Sequence, residues 1–265
     1  MPVSEKVKII VPIYKADLNE NELISLEQCR NLFKDFPKIF VKPKSLDISN
    51  LKKENFEFKE ENFDDDFFTG IAGYNRLMMS SCFYDRFLDS EYILIHQLDT
   101  FAFRNELLDW CEKKYDYIGA PWMLKPKYRK WHVKLFLYLK SFGYFIQRRP
   151  FWPTMLGDKV GNGGLSLRKV ASHYESTIKN RKKICSFLSK SQKHSEFSED
   201  VFWALENPGF KYPNAYEALG FSIDNYPEMC FKLNKSKLPF GCHGWSKPEK
   251  ITFWKHIILS NRYLT

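Results

Sequence analysis

The 265 residues are 44% hydrophobic, 17% aromatic and 28% charged, which excludes a disordered chain and suits one well-buried α/β domain. The formal net charge of +9 is concentrated: Lys125, Lys127, Arg129, Lys130, Lys134, Lys140, Arg148 and Arg149 follow one another without an acid, pointing to a local anionic partner. Six scattered cysteines without a Cys-x-x-Cys pair argue against a disulfide framework or zinc site, and no signal peptide or hydrophobic stem precedes the first strand, so a cytoplasmic location is expected.

Lys8 to Tyr14, rich in Ile and Val, reads as a buried parallel strand, with Pro12 where it runs out into a loop. Leu23, Leu26, Cys29, Leu32 and Phe33 give Glu20 to Phe33 a helical period, and Lys38 to Val41 reads as a second strand, a β-α-β opening. Residues 42–68 read as polar and irregular. Gly73 to Leu88 reads as one helix, Glu91 to Asp99 as a third strand ending at a carboxylate, Glu106 to Lys114 as a helix and Tyr115 to Pro121 as a short strand. After the basic aromatic segment, Gly161 to Gly164 form a glycine turn into a strand, and Lys169 to Lys190 reads as mostly helical. Ser198 can cap a helix whose first turn carries Glu199 and Asp200. A second glycine-rich cluster surrounds His243, and no internal repeat or linker divides the chain.

In open α/β sheets, ligands bind beyond the carboxyl ends of the strands. A carboxylate at Asp99 is therefore placed to hold Mg²⁺ or Mn²⁺ against a diphosphate, or else to cap the following helix. Pro12, Tyr14 and Lys15 stand at the end of the first strand, at the same level, where Tyr14 and Lys15 would meet a base and phosphates. The turn at Gly161, Gly163 and Gly164 is neither a P-loop nor a dinucleotide fingerprint; it suits close passage of backbone past a ligand, or an ordinary tight turn. Glu199 and Asp200 are a candidate acid–base pair or simple complements of a helix dipole.

The order Gly73-Tyr-Asn-Arg-Leu, Gln97-Leu-Asp99, Gly161-Asn-Gly-Gly-Leu-Ser and Ser198-Glu-Asp200 resembles nucleotide-sugar glycosyltransferases of the GT-A fold. It is similar at a distance to the β-1,4-galactosyltransferases. It is more similar to an uncharacterised family of glycosyltransferase-like domains carrying Tyr-Ile-Leu-Ile-x-Gln-Leu-Asp, Gly-Asn-Gly-Gly and Glu-Asp-Val-Phe-Trp, over roughly residues 6–247. The resemblance implies a GT-A-like, Rossmann-type α/β fold: a mixed, mainly parallel sheet with helices on both faces. It implies a single domain over 1–265, binding the nucleotide-sugar with about 1–120 and the acceptor with about 121–265. The implied activity is transfer of a sugar, UDP-linked by preference, to a glycan or lipid-linked acceptor in cell-surface polysaccharide synthesis, with inversion and a divalent metal.

Residue by residue, the resemblance implies Asp200 as the catalytic base and Glu199 as an acceptor ligand. Asn75 and Arg76 would contact the nucleotide, Gly163 and Gly164 would border the donor sugar, and Asp99 and His243 would hold Mn²⁺ or Mg²⁺. Gln97 replaces the first acid of the Asp-x-Asp pattern; its amide can bond a ribose hydroxyl but is a poor metal ligand. The segment Trp131 to Ile146 is too short to span a bilayer and reads either as a core helix or acceptor flap, or as a peripheral membrane contact within 125–149. No nucleic-acid-binding motif is present. Two rival functions remain: a nucleotidyltransferase, whose glycine-rich phosphate loop is missing after the first strand, and a non-catalytic binding protein of the same fold.

Overall fold

The structure, a computed structural model, describes residues 2–53, 56, 58–146, 155–191, 194 and 196–261. Its frame is a six-stranded sheet in the order β3 (Lys59–Phe63), β2 (Lys38–Pro43), β1 (Val7–Pro12), β4 (Tyr92–His96), β7 (Leu165–Lys169) and β6 (Tyr117–Ile118). β1 to β4 pair in parallel, whereas β7 runs antiparallel to both β4 and β6. The sheet is thus mixed and mainly parallel, as expected.

Side chains alternate across the pleat. Ile9, Val11 and Leu94 face one side with Leu26, Cys29, Phe33 and Phe221, while Ile10, Ile93 and Ile95 face the other with Leu77, Met78, Phe83 and Trp203. Helices therefore cover both faces, which is why β1 and β4 read as nearly unbroken apolar runs. The helix Glu20–Leu32 begins at a capping box, in which the Asn19 side chain accepts from Glu22 N and the Glu22 side chain accepts from Asn19 N.

A second, three-stranded sheet orders β5 (Thr100–Ala102), β9 (Gly241–His243) and β8 (Ser222–Ile223). It rests on its own apolar cluster, with Phe101, Ile223, Cys242, Trp245 and Trp254 buried together. Four readings change. The third strand stops at His96, and Asp99 lies in the turn that enters β5. The stretch 42–68 holds a short helix (Ser49–Lys53), the edge strand β3 and a 3-10 turn (Asp65–Phe68). The helix expected over Gly73 to Leu88 is two, Gly70–Met78 and Ser81–Asp85, because the Ser80 side chain caps Phe83 N and starts a new helix. The helix Trp131–Ile146 forms, but most of its described apolar side chains are exposed, so of the readings left open for it the core helix does not hold.

Candidate active site

The exits of β1 and β4 at the carboxyl end of the parallel sheet feed one cleft. Pro12 and Tyr14 leave β1, and Gln97, Leu98 and Asp99 leave β4; Asn162, Gly163 and Gly164 approach β7 from the same side. Asn75, Glu199, Asp200, His243 and Lys247 complete a cavity of about 750 Å³, a size suited to a small ligand. Of the residues picked from sequence, Pro12, Tyr14, Asn75, Gln97, Asp99, Gly163, Gly164, Glu199, Asp200 and His243 line it. Lys15 and Arg76 do not. The Lys15 ammonium pairs with Glu22 at 2.8 Å, and Arg76 donates to the backbone carbonyl of Asp66.

Backbone bonds fix the walls relative to one another. Gln97 N donates to Gly164 O at 3.0 Å, and Gly244 N donates to Asp99 O at 2.9 Å. Thr100 pairs with His243 across the β5–β9 ladder. The turn 97–99 is closed by Thr100, whose amide and hydroxyl both donate to Gln97 O. It is a rigid support for Asp99.

The first chemical group is a histidine between two acids. His243 Nε2 lies 3.2 Å from Asp99 Oδ1, and its Nδ1 lies 3.3 Å from Asp224 Oδ1. Burial disfavours the imidazolium, but the carboxylates of Asp99 and Asp224 outweigh it and raise His243 to about 9. Burial likewise opposes ionisation of Asp99, yet His243 and then Lys247 bring its carboxyl down to about 2. Asp224 is itself held by Asn162 Nδ2 at 2.9 Å and by the Lys250 ammonium. One carboxylate thus orients the imidazole and ties it to the glycine turn. Asp224 was not visible in the sequence: it stands in no motif and meets His243 only through the β8–β9 pairing.

The second group is the Glu199–Asp200 pair at the start of the helix Glu199–Leu205. Glu199 is buried, and its Oε1 accepts from Arg168 Nη2 at 3.0 Å. Its Oε2 is buried without a hydrogen-bond partner. Burial raises the Glu199 carboxyl above its usual range, with the Arg168 guanidinium opposing. Asp200 is half-buried; its Oδ1 accepts from Ser198 Oγ and from Val201 N. Ser198 occupies the cap position but gives its hydroxyl to Asp200, so the expected side-chain cap is absent there. Its place is taken from a distance: Glu199 N donates to Asn75 Oδ1 at 3.0 Å.

The glycines answer to these two groups. A Cβ on Gly163 would stand 2.0 Å from Glu199 Oε1, and one on Gly164 would stand 2.2 Å from the His243 ring. Whether a divalent metal fits can be tested on the donor set. Asp99 and, once the imidazole has given up its proton, His243 offer one oxygen and one nitrogen side by side at the cleft, a pair that suits Mn²⁺ better than Mg²⁺. Gln97 adds no charge, and among the described residues no three His, Cys, Asp or Glu side chains form a cage. Two protein ligands fit an ion whose other positions belong to substrate oxygens, not a structural ion.

The family described as "Protein of unknown function (DUF5672)" matches residues 57–243. No curated protein matches the sequence. Among solved structures, the galactosyltransferase LgtC in complex with donor and acceptor sugar analogs aligns over 96% of this chain and 95% of its own, with a TM-score of 0.59 and 10% identity. An active-site mutant of LgtC aligns over 96% and 94%, with a TM-score of 0.56 and 11% identity. The apo-form glycosyltransferase GlyE of Streptococcus pneumoniae TIGR4 aligns over 98% of this chain and 60% of its own, with a TM-score of 0.50 and 11% identity. The chain has the GT-A glycosyltransferase fold.

Proposed function

The chain belongs to the DUF5672 family, and from that premise we propose that it is a glycosyltransferase that moves a sugar from a nucleoside-diphosphate donor, UDP-linked by preference, to a glycan or lipid-linked acceptor. One observation carries the reading. A single cleft at the carboxyl end of the parallel strands sets the Asp99–His243 pair and the Glu199–Asp200 pair on its walls. Transfer needs both: a site for the diphosphate leaving group and a carboxylate for the acceptor proton. Cell-surface polysaccharide synthesis, carried out in the cytoplasm, is the setting we infer.

The roles follow from the bonds each group already makes. Asp200 Oδ1 is occupied by Ser198 and Val201, which leaves Oδ2 to take the proton. In a single displacement with inversion, the acceptor oxygen bonds to the anomeric carbon, the carbon–oxygen bond to the diphosphate breaks, and the acceptor proton passes to Asp200. Glu199 is buried and clamped by Arg168, a setting that suits a binding role, and its unpartnered Oε2 suits a sugar hydroxyl that donates to it. Pro12, Tyr14, Asn75 and Gln97 would face the nucleoside, with Tyr14 exposed enough to stack on a base.

Asp99 and His243 Nε2 would hold a divalent cation, which when bound neutralises charge on the departing diphosphate. Lys247, 3.8 Å from Asp99 Oδ2, adds a cation of the protein's own at that end. Asp224 keeps Nε2 turned to the cleft by facing Nδ1.

Calorimetric titration of UDP and GDP, each with and without Mn²⁺, tests the reading. Wild type should bind UDP with Mn²⁺, and Asp99→Ala should lose the metal-dependent part. Asp200→Asn should bind UDP as wild type does and transfer no sugar. Failure of wild type to bind any nucleoside diphosphate, with or without metal, overturns the proposal.

A further inference from the structure

The helix Trp131–Ile146 turns the ordinary logic of an amphipathic helix outward. At about 100° per residue, Trp131, Leu135, Tyr138, Leu139 and Phe142 fall on one stripe about 100° wide. A helix packed on its own protein buries such a stripe. Here all five are between 52% and 77% exposed, and Phe136 beside them is 61% exposed. Among the described side chains of the helix, Leu137, on the opposite side, is the buried one. The helix therefore presents its apolar side to the surroundings.

Charge says what fits that side. No Asp or Glu occurs between Asp116 and Asp158, whereas Lys127, Lys130 and Lys140 are exposed in and beside the helix. A second copy of the same segment would bring like charges together around the stripe. An anionic surface would not. At 16 residues the helix is about 24 Å long, short of the ~30 Å hydrocarbon core, and no described helix is long and apolar enough to cross a membrane. Lying flat suits it: the apolar stripe enters the acyl boundary, Trp131 and Tyr138 sit at headgroup level, and the lysines meet lipid phosphates.

We propose that the helix Trp131–Ile146, with the lysines beside it, docks this protein on an anionic lipid surface. The proposal stands apart from the transfer chemistry and does not depend on it. The helix is joined to the cleft-bearing body through Lys125, whose ammonium lies 4.2 Å from the centre of the Tyr226 ring, and through Leu124 N, which donates to Asp158 Oδ1 at 3.0 Å. Docking there would hold the whole molecule at a membrane surface, where an acceptor with a lipid anchor is presented.

Co-sedimentation with vesicles of phosphatidylglycerol and phosphatidylcholine in equal parts, against phosphatidylcholine alone, tests it. Wild type should sediment with the anionic vesicles and be released by high salt. Leu135→Glu/Leu139→Glu should weaken partitioning about ten-fold or more, and Lys127→Ser/Lys130→Ser should weaken it less, bringing binding nearer to that on phosphatidylcholine. All these side chains are exposed, so melting temperature and circular dichroism should stay as in wild type. Three outcomes overturn the proposal: wild type left in the supernatant at low salt, a glutamate variant that binds as wild type does, or self-association lost in that variant without any vesicle binding.

Discussion

Gly163 and Gly164 lack side chains because a carboxylate and an imidazole stand where Cβ atoms would go. Neither residue has the left-handed backbone that would demand glycine on conformational grounds, so the constraint is one of approach. Gly164→Ala should push the His243 ring away from Asp99. The expected result is a loss of about ten-fold or more in Mn²⁺-dependent UDP affinity by calorimetry, alongside about 1–3 kcal/mol of stability. Unchanged nucleotide affinity in a folded Gly164→Ala protein would show that the ring placement does not matter to the donor. The glycines, Asp99, His243 and the Glu199–Asp200 pair, which line one cleft, were picked out in the sequence chiefly by the family resemblance, spacing alone leaving structural roles open for them. Asp224 was not, because what defines it is its position behind His243, a contact that only the β8–β9 pairing creates. Arg168 was missed for a related reason. A lone arginine in a strand sequence looks like an exposed position, and here it is fully buried on Glu199 and Tyr84.

Among elements, the helix Glu199–Leu205 shows how a site can be built from parts distant in sequence. Its first amide is taken by Asn75, 124 residues earlier, and its first carboxylate by Arg168 on β7. Arg168→Met would leave the Glu199 carboxylate buried without its partner, at a cost of about 3–5 kcal/mol in urea unfolding. Arg168→Met/Glu199→Leu should recover most of that stability while transfer activity stays lost. A double variant no more stable than Arg168→Met would mean that the unpaired charge is not the source of the cost. The elements missed in the sequence share a physical cause. β3 is an edge strand, Lys-Glu-Glu-Asn-Phe, with little apolar face to betray it, and β5 and β8 have three and two residues. Their pairing comes from the tertiary frame, whereas β1 and β4, buried on both faces, announced themselves by composition.

At the scale of the whole molecule, pH acts through histidines that the fold treats in opposite ways. His96, on β4 and fully buried, is pushed down to about 4 by burial. His173, packed between Tyr84 and Trp203, is held well below its usual value by burial and by the nearby Arg168. Below about 6.5 the unfolded chain protonates both imidazoles while the native state refuses the protons, so stability rises with pH and falls as acid is added. Between pH 7 and pH 5 the loss is about 1–2 kcal/mol for His96, and His173 adds to it in the same direction. His243 works the other way. Its native value of about 9 lies above the unfolded one, so its contribution is complete below about 6.5 and lost as pH rises through 9. Over the acid window it returns only about 1 kcal/mol, because the native state already holds that proton at pH 7. The losses at His96 and His173 outweigh the gains at His243 and at Glu199, whose raised carboxyl takes up its proton at higher pH in the native state than in the unfolded chain. Urea unfolding should therefore show lower stability at pH 5 than at pH 7 by about 1–3 kcal/mol, and again lower stability at pH 9.5 than at pH 7. A stability that holds level from pH 7 to pH 5 would mean that His96 and His173 accept protons in place, which their apolar surroundings should forbid.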